Sequence, residues 1–294
     1  MSMAADLADR IGAMLGAPVA AGAPVSGGYT AAARWRVTLG SGRTAFAKVG
    51  TTAITAAALR DEAAVYTALA GPFMPAFMPQ FLGWQDDAEQ PLLVLEDLTA
   101  AVWPPPWTDE RVAAVRRALD VLHAHPARLR PVATTDTYWS TGWQRVSEDP
   151  RPFLGLGLTS DRWLEAALPA LLQAAASVRL EGDQVVHLDV RSDNLCLAPR
   201  GAVLVDWNCA CLANGDLDTG FWLPSLQAEG GPAPERVVGL RPDLAALVSG
   251  YFASRAGLPA IPEAPRVRLV QMQQLVPALR WVVRALGLPD PFGR

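Results

Sequence analysis

Cysteine is scarce in this chain of 294 residues, and the three present, Cys196, Cys209 and Cys211, are odd in number. That argues against a disulfide scaffold and suits a reducing compartment, with packed thiols as the default reading. Cys209-x-Cys211 has no second thiol pair and no neighbouring histidines, so a zinc site is not expected. No stretch reaches the roughly 18 uninterrupted apolar residues that a membrane-crossing helix needs. The opening MSMAADLADRIGAMLGAPV lacks the basic start and unbroken apolar segment of a secretory signal. A large excess of one charge is missing too: the formal charge is -4 and the pI near 5.4, which gives no footprint for gripping a phosphate backbone. A soluble cytoplasmic protein is expected, with neither nucleic acid nor a membrane as partner. Internal repeats and low-complexity tails are also absent. Against these absences stands 51% hydrophobic composition, enough for a large core in one domain or two lobes.

The pattern divides the chain into unlike halves. Leu7, Ile11 and Leu15 share one helical face in residues 5–16. APVSGGYTAAARWRVTLGSGRTAFAKVG then reads as an antiparallel meander: a turn at Ser26 to Thr30, alternating Trp35, Val37 and Leu39, a tight turn at Gly40 to Arg43, and Ala45, Ala47 and Val49. Thr52 to Ala70 is free of Gly and Pro and places Glu62, Val65, Tyr66 and Leu69 on one helical face. After a loop rich in Pro and Phe, Leu92 to Leu95 reads as a short buried strand ending in Glu96, Asp97 and Leu98. Pro104, Pro105 and Pro106 cannot continue a ladder and mark a connector. Beyond it, Thr108 caps a helix with Val112, Val115, Leu119 and Leu122 on one face. Residues 161–178 and 235–286 are largely helical in pattern, while Val185–Val186, Leu195–Leu197 and Val203–Val205 are short strands.

The chemistry concentrates in VVHLDVRSDNLCL and AVLVDWN, which set Asp189, Asn194 and Asp206 at the ends of short apolar strands. A hydroxyl attacking a phosphoryl group needs a carboxylate to orient it and take its proton, and Asp189 can supply one. Five residues on, Asn194 offers a neutral oxygen to Mg²⁺, and after a hairpin Asp206 brings a carboxylate to the same ion.

These two strings resemble the catalytic and metal-binding segments of kinases, most closely those of the aminoglycoside phosphotransferase family, in the match of His187, Asp189, Asn194, Asp206 and Trp207. The resemblance implies a two-lobed, protein-kinase-like α/β (α+β) fold. Its nucleotide-binding lobe would span residues 1–97, and its catalytic and substrate-binding lobe residues 98–294. It further implies that Lys48 meets the nucleotide phosphates with Glu62 as its ion-pair partner. LLVLEDL would then be the hinge, receiving the base near Glu96 and Leu98. Ser26, Gly27 and Gly28 would cover the phosphates, although SGGYT is not a full G-x-G-x-x-G. Arg191 stands where many relatives of this family carry histidine and protein kinases carry lysine, and would neutralise the γ-phosphate charge. His187 would pack and orient the loop, and Asp218, ahead of Asp216, would brace it through backbone hydrogen bonds. Asn208 stands where a protein kinase has glycine, which argues against a protein-kinase activation switch. Thr134 to Pro152 is read as an irregular, aromatic insertion for substrate, with Trp139, Trp143, Trp207 and Trp222 as a candidate wall.

The function so implied is ATP- or GTP-dependent phosphorylation of a small-molecule hydroxyl, on an antibiotic or related natural product, by a monomer or homodimer. A strongly cationic aminoglycoside is not assured, because residues 134–180 offer only scattered carboxylates; nucleoside, peptide and macrolide acceptors stay open. A metabolic kinase acting on choline, homoserine or a sugar is the alternative within enzymes, and a catalytically dead nucleotide-binding scaffold the alternative outside them.

Overall fold

Alternating apolar residues build the N-terminal sheet, and the side chains between them end up facing the site. The computed structural model describes residues 3–26, 32–70, 74–132, 139–262 and 264–291. Helix α1 (Ala5–Leu15) leads into β1 (Val19–Pro24), β2 (Ala33–Leu39) and β3 (Thr44–Val49). Strands β4 (Phe81–Gln85) and β5 (Leu92–Glu96) complete an antiparallel sheet in the order β1-β2-β3-β5-β4. The register sets Trp35 opposite Ala47 and Val37 opposite Ala45, so one face is apolar, and Ile11 of α1 buries itself against it. Because side chains alternate across a strand, Lys48 opposite Arg34 must point to the other face.

That other face is covered by α2 (Ala53–Leu69). The helix starts in a capping box: Thr52 Oγ1 accepts from the Thr55 N–H at 3.2 Å, and Thr55 Oγ1 accepts from the Thr52 N–H at 2.9 Å. Because this helix carries Glu62, the cap also holds the ion pair in place. Thr52→Ala is expected to lower stability by about 1 kcal/mol, read from the urea midpoint at unchanged m.

The helical C-terminal region begins after the proline connector with α3 (Asp109–His123), whose Thr108 Oγ1 accepts from the Arg111 N–H at 3.3 Å. Helices α4 (Gly142–Glu148), α5 (Arg151–Leu154) and α6 (Asp161–Ala176) follow. Thr134 to Pro152 is therefore not irregular throughout. Gly142 lets α4 lie directly on the backbone of a later helix, since a Cβ there would come within 2.1 Å of the Gly250 carbonyl carbon. Strand β6 (Gln184–Val186) pairs with β9 (Cys211–Ala213), and β7 (Leu195–Ala198) with β8 (Gly201–Leu204). Helices α7 (Asp216–Ala228), α8 (Pro234–Val238), α9 (Pro242–Ala256) and α10 (Val267–Leu286) close the core, in which Trp143, Trp222 and Trp281 are buried. Among the described residues no helix is long and apolar enough to cross a membrane.

Candidate active site

The two short ladders bring residues 187–194 and 205–210 side by side, because each pair of strands frames both loops. The Val205 N–H donates to the Asn194 carbonyl at 2.9 Å, one step beyond the Leu195–Leu204 pair. Asp206, the next residue, thus leaves the hairpin beside Asn194.

Lys48 crosses from the sheet to meet Asp206. Its Nζ donates to Glu62 Oε1 at 2.9 Å and Oε2 at 2.8 Å, and to Asp206 Oδ1 at 3.0 Å. Lys48 and Glu62 are both buried. Burial alone would discharge the ammonium, but the two carboxylates outweigh it and hold Lys48 above its usual range. The Lys48 charge in turn pulls Asp206 below the ordinary carboxylate range. Burial pushes Glu62 up against the pull of Lys48; with a bidentate ammonium and the Trp207 N–H also reaching it, we take Glu62 as ionised.

Asp218 lies under the loop that carries Asp189. Its carboxylate accepts from the His187 N–H at 3.0 Å to either oxygen, from the Leu188 N–H at 2.7 Å, and faces His123 Nε2 at 3.0 Å. Leu188 is held at φ 61 and Asp206 at φ 68, left-handed conformations that non-glycine residues keep only where their surroundings enforce them. His187 is buried and neutral in its bonding: Nε2 pairs with the Val205 carbonyl at 3.0 Å, which leaves Nδ1 to accept from the Asp189 N–H at 3.2 Å. Burial lowers its pKa in the same sense. It has no proton to spare for catalysis.

Asp189 itself keeps about a third of its side chain open. Asn194 Nδ2 donates to its Oδ2 at 2.7 Å and to its carbonyl at 3.0 Å, while Arg191 Nη2 donates to Oδ2 at 3.2 Å. Burial pushes the carboxyl up, and Arg191 opposes that shift. Arg191 also reaches Asp193 at 3.3 Å. Because the Asn194 amide nitrogen is spent on Asp189 and Lys48 takes only Oδ1 of Asp206, Asn194 Oδ1 and Asp206 Oδ2 have no partner among the described residues. An amide oxygen and a carboxylate oxygen from neighbouring positions suit Mg²⁺, which takes few protein ligands and completes its shell with phosphate and water. Among the described residues no three His, Cys, Asp or Glu side chains form a self-sufficient metal cage.

At the hinge, the Glu96 side chain is tied to Arg200 Nη2 at 2.5 Å and its N–H donates to the Gln80 carbonyl at 2.9 Å, so its side chain points to Arg200 and not to a base. Leu98 packs over Cys196 and Val203, an apolar floor beneath the hinge. Ser26 is exposed at the end of β1, and Gly27 and Gly28 lie outside the described residues. Burial pushes the thiols of Cys196 and Cys211 up to about 12.

The proposed aromatic wall needs correction. Trp143 is buried with its Nε1 donating to the Ala246 carbonyl at 2.9 Å. Trp207 is buried between His187 and Phe77, with its Nε1 donating to the Leu204 carbonyl at 2.8 Å. Trp222 is buried against Trp107. These three rings are packing elements, because the helical core closes over them. Only Trp139 reaches the cavity beside Asp189, stacked on Tyr251 at 4.9 Å.

A family model described as the phosphotransferase enzyme family matches residues 22–241. The chain belongs to this family. Among curated proteins none matches it in sequence. Solved structures share its fold: an aminoglycoside phosphotransferase from Alicyclobacillus acidocaldarius is 17% identical over 90% of each chain with a TM-score of 0.55. A spectinomycin phosphotransferase in complex with ADP and spectinomycin is 11% identical, covering 96% of this chain and 94% of its own, with a TM-score of 0.57. A macrolide 2'-phosphotransferase type I is 18% identical over 99% and 96%, at 0.51. At such identities the likeness is one of fold.

Two cavities adjoin the loop of residues 188–193, the smaller of them reaching Asp189. One of about 160 Å³ lies between the loop, Trp139, Phe221 and Tyr251, and one of about 660 Å³ lies between residues 191–193, the end of α7 and α10. Arg191, Val270 and Gln274 border both. Sequence reasoning missed several supports of this phosphotransferase site. Glu229 accepts from Ser192 Oγ at 2.5 Å and from Trp107 Nε1 at 2.8 Å, fixing the loop from the end of α7. His123, unmarked by any local pattern, reaches Asp218 over Gly215, where a Cβ would stand 2.6 Å from its ring. The Asn214-Gly215-Asp216 turn was the available signal for that approach.

Proposed function

We propose that the chain moves the terminal phosphoryl group of ATP or GTP onto a hydroxyl of a small molecule, an antibiotic or related natural product. The observation that carries this reading is the Lys48–Glu62 pair joined to Asp206 at 3.0 Å, with Asp189 and Asn194 on the adjoining loop. Phosphoryl transfer needs little covalent help from the protein; positioning and charge do most of the work. Lys48 would hold the nucleotide phosphates, and Leu98 with the Glu96 backbone would border the base. Asp189 would orient the acceptor hydroxyl and receive its proton, and Arg191 would face the negative charge on the moving group. Asn194 Oδ1 and Asp206 Oδ2 would hold Mg²⁺, whose charge, when bound, offsets that of the phosphates.

The acceptor class draws support from the fold shared with antibiotic phosphotransferases and from the cavities beside the Asp189 loop. The test is a panel of hydroxylated antibiotics, nucleosides, choline and sugars incubated with ATP or GTP and Mg²⁺. A mass gain of about 80 daltons, one phosphoryl group, on a member of the antibiotic set is expected. Gain confined to choline or a sugar would move the protein to metabolism. Gain on none, with no nucleotide consumed, would reduce it to a scaffold.

A further inference from the structure

The walls of the groove beside Asp189 are poor in available negative charge. Three carboxylates border the two cavities, Asp189, Asp193 and Glu229, against the arginines Arg191 and Arg280. None of the three is unengaged: Asp189 is held by Asn194 and Arg191, Asp193 by Arg191, and Glu229 by Ser192 and Trp107. A ligand bearing several ammonium groups would lose hydration here without gaining carboxylate partners. The smaller cavity is instead lined by the rings of Trp139, Phe221 and Tyr251 and by Val267 and Val270.

The polar features that remain are neutral. Gln274 on α10 is only 5% exposed and lines both cavities, and its amide has no hydrogen-bond partner among the described residues. Open to both cavities, that amide is available to pair with a bound ligand. One turn on, Pro277 has no N–H to give, so the Gln273 carbonyl loses its partner within the helix on the border of the larger cavity. Across that cavity, Gln227 Oε1 is buried without a partner. Gln274 thus places a neutral amide on the wall shared by the two cavities, the smaller of which reaches Asp189.

We propose that this groove takes an uncharged or singly charged hydroxylated acceptor with a broad apolar face, and that Gln274 is the specificity-determining residue, pairing with a neutral polar group beside the reacting hydroxyl. The proposal rests on the phosphotransferase function given above. The apolar face lies on Trp139, Phe221 and Tyr251, and the polar edge turns to α10. Selectivity follows from an amide that gains from a neutral donor or acceptor and offers no charge to an ammonium group.

Turnover is measured by mass gain and kcat/KM on three probes: uridine as an uncharged acceptor, erythromycin as a singly charged one with a large apolar face, and kanamycin as a polycation. Nucleotide hydrolysis without acceptor is followed in parallel in the parent and in Asp189→Ala. Erythromycin or uridine is expected to be phosphorylated at least tenfold more efficiently than kanamycin. Gln274→Leu is expected to raise the acceptor KM about tenfold while the nucleotide KM changes less than twofold, the loss of one hydrogen bond to a neutral group. Gln274→Glu keeps the shape and adds charge, and is expected to shift preference from uridine towards the amine-bearing probes; it also serves if the leucine variant does not fold. Kanamycin turned over as well as erythromycin, no turnover of either uridine or erythromycin, or an unchanged acceptor KM in both variants would each overturn the proposal while leaving the parent function intact. Hydrolysis that is the same in Asp189→Ala as in the parent would instead remove the function on which it rests.

Discussion

An Asp189→Asn protein is expected to fold at least as stably as the parent and to transfer phosphoryl groups about 10²–10⁴ times more slowly. The rate loss follows from the role of the carboxylate, since asparagine keeps the shape and can still accept from Asn194 but cannot take a proton. The stability expectation follows from linkage. Burial raises the Asp189 carboxyl above its unfolded value, so the folded chain binds that proton more tightly than the unfolded chain does. The stability tied to that proton is present below the unfolded pKa and is lost as pH rises through the folded one. At neutral pH the parent therefore carries an ionised group that its surroundings disfavour, and the amide does not. Thermal unfolding in chelator-treated, metal-free buffer at pH 7 and 8 tests the stability half, and single-turnover transfer tests the rate half. A variant that unfolds earlier and keeps transfer within tenfold of the parent would place Asp189 among the structural residues.

Local pattern explains what the sequence made legible and what it hid. Strands β2 and β3, α2, and α3 behind Thr108 each announce themselves locally, through alternation, a run free of Gly and Pro, or a cap, whereas β1 is largely exposed and shows no alternation. Strand β4 did not announce itself either: it is a half-exposed edge strand with a bulge between Phe81 and Gly83, so its side chains show no clean alternation. The region around Trp143 read as irregular because α4 and α5 are only 7 and 4 residues long, too short for a helical period to show. Within the site, Asp189, Asn194 and Asp206 stand in two short strings that carry their own spacing. The supports do not. His123 and Asp218 are 95 residues apart, and Trp107 and Glu229 are 122 apart, joined by side chains with no local signature. The tryptophans failed for a related reason, because composition counts rings but only packing decides which of them faces a cavity.

The same separation of local and distant information governs the Lys48 site, where Lys48→Met is expected to lower both stability and transfer. Lys48 and Glu62 are 14 residues apart, while Asp206 is 158 residues from Lys48, so one ammonium joins the sheet, α2 and the loop after β8. Methionine fills the space but leaves two carboxylates facing each other without a cation. Removing one partner of a buried ion pair costs about 3–5 kcal/mol, and part of that cost is relieved here if Glu62 takes up a proton. Glu62 is already pushed up by burial, and without Lys48 its folded pKa rises further above the unfolded one. The variant's stability is then greatest below the unfolded carboxylate pKa and falls as pH rises through the folded one. Denaturant unfolding of metal-free Lys48→Met at pH 5 and pH 8 should thus show a larger deficit against the parent at pH 8. Adding Glu62→Gln to Lys48→Met should recover much of the stability at pH 8, because one of the two unpaired charges is gone. Transfer should stay depressed by at least about a hundredfold in both variants, since neither returns a cation to the nucleotide phosphates. Recovery of transfer together with stability in the double variant would mean that Lys48 serves the fold alone.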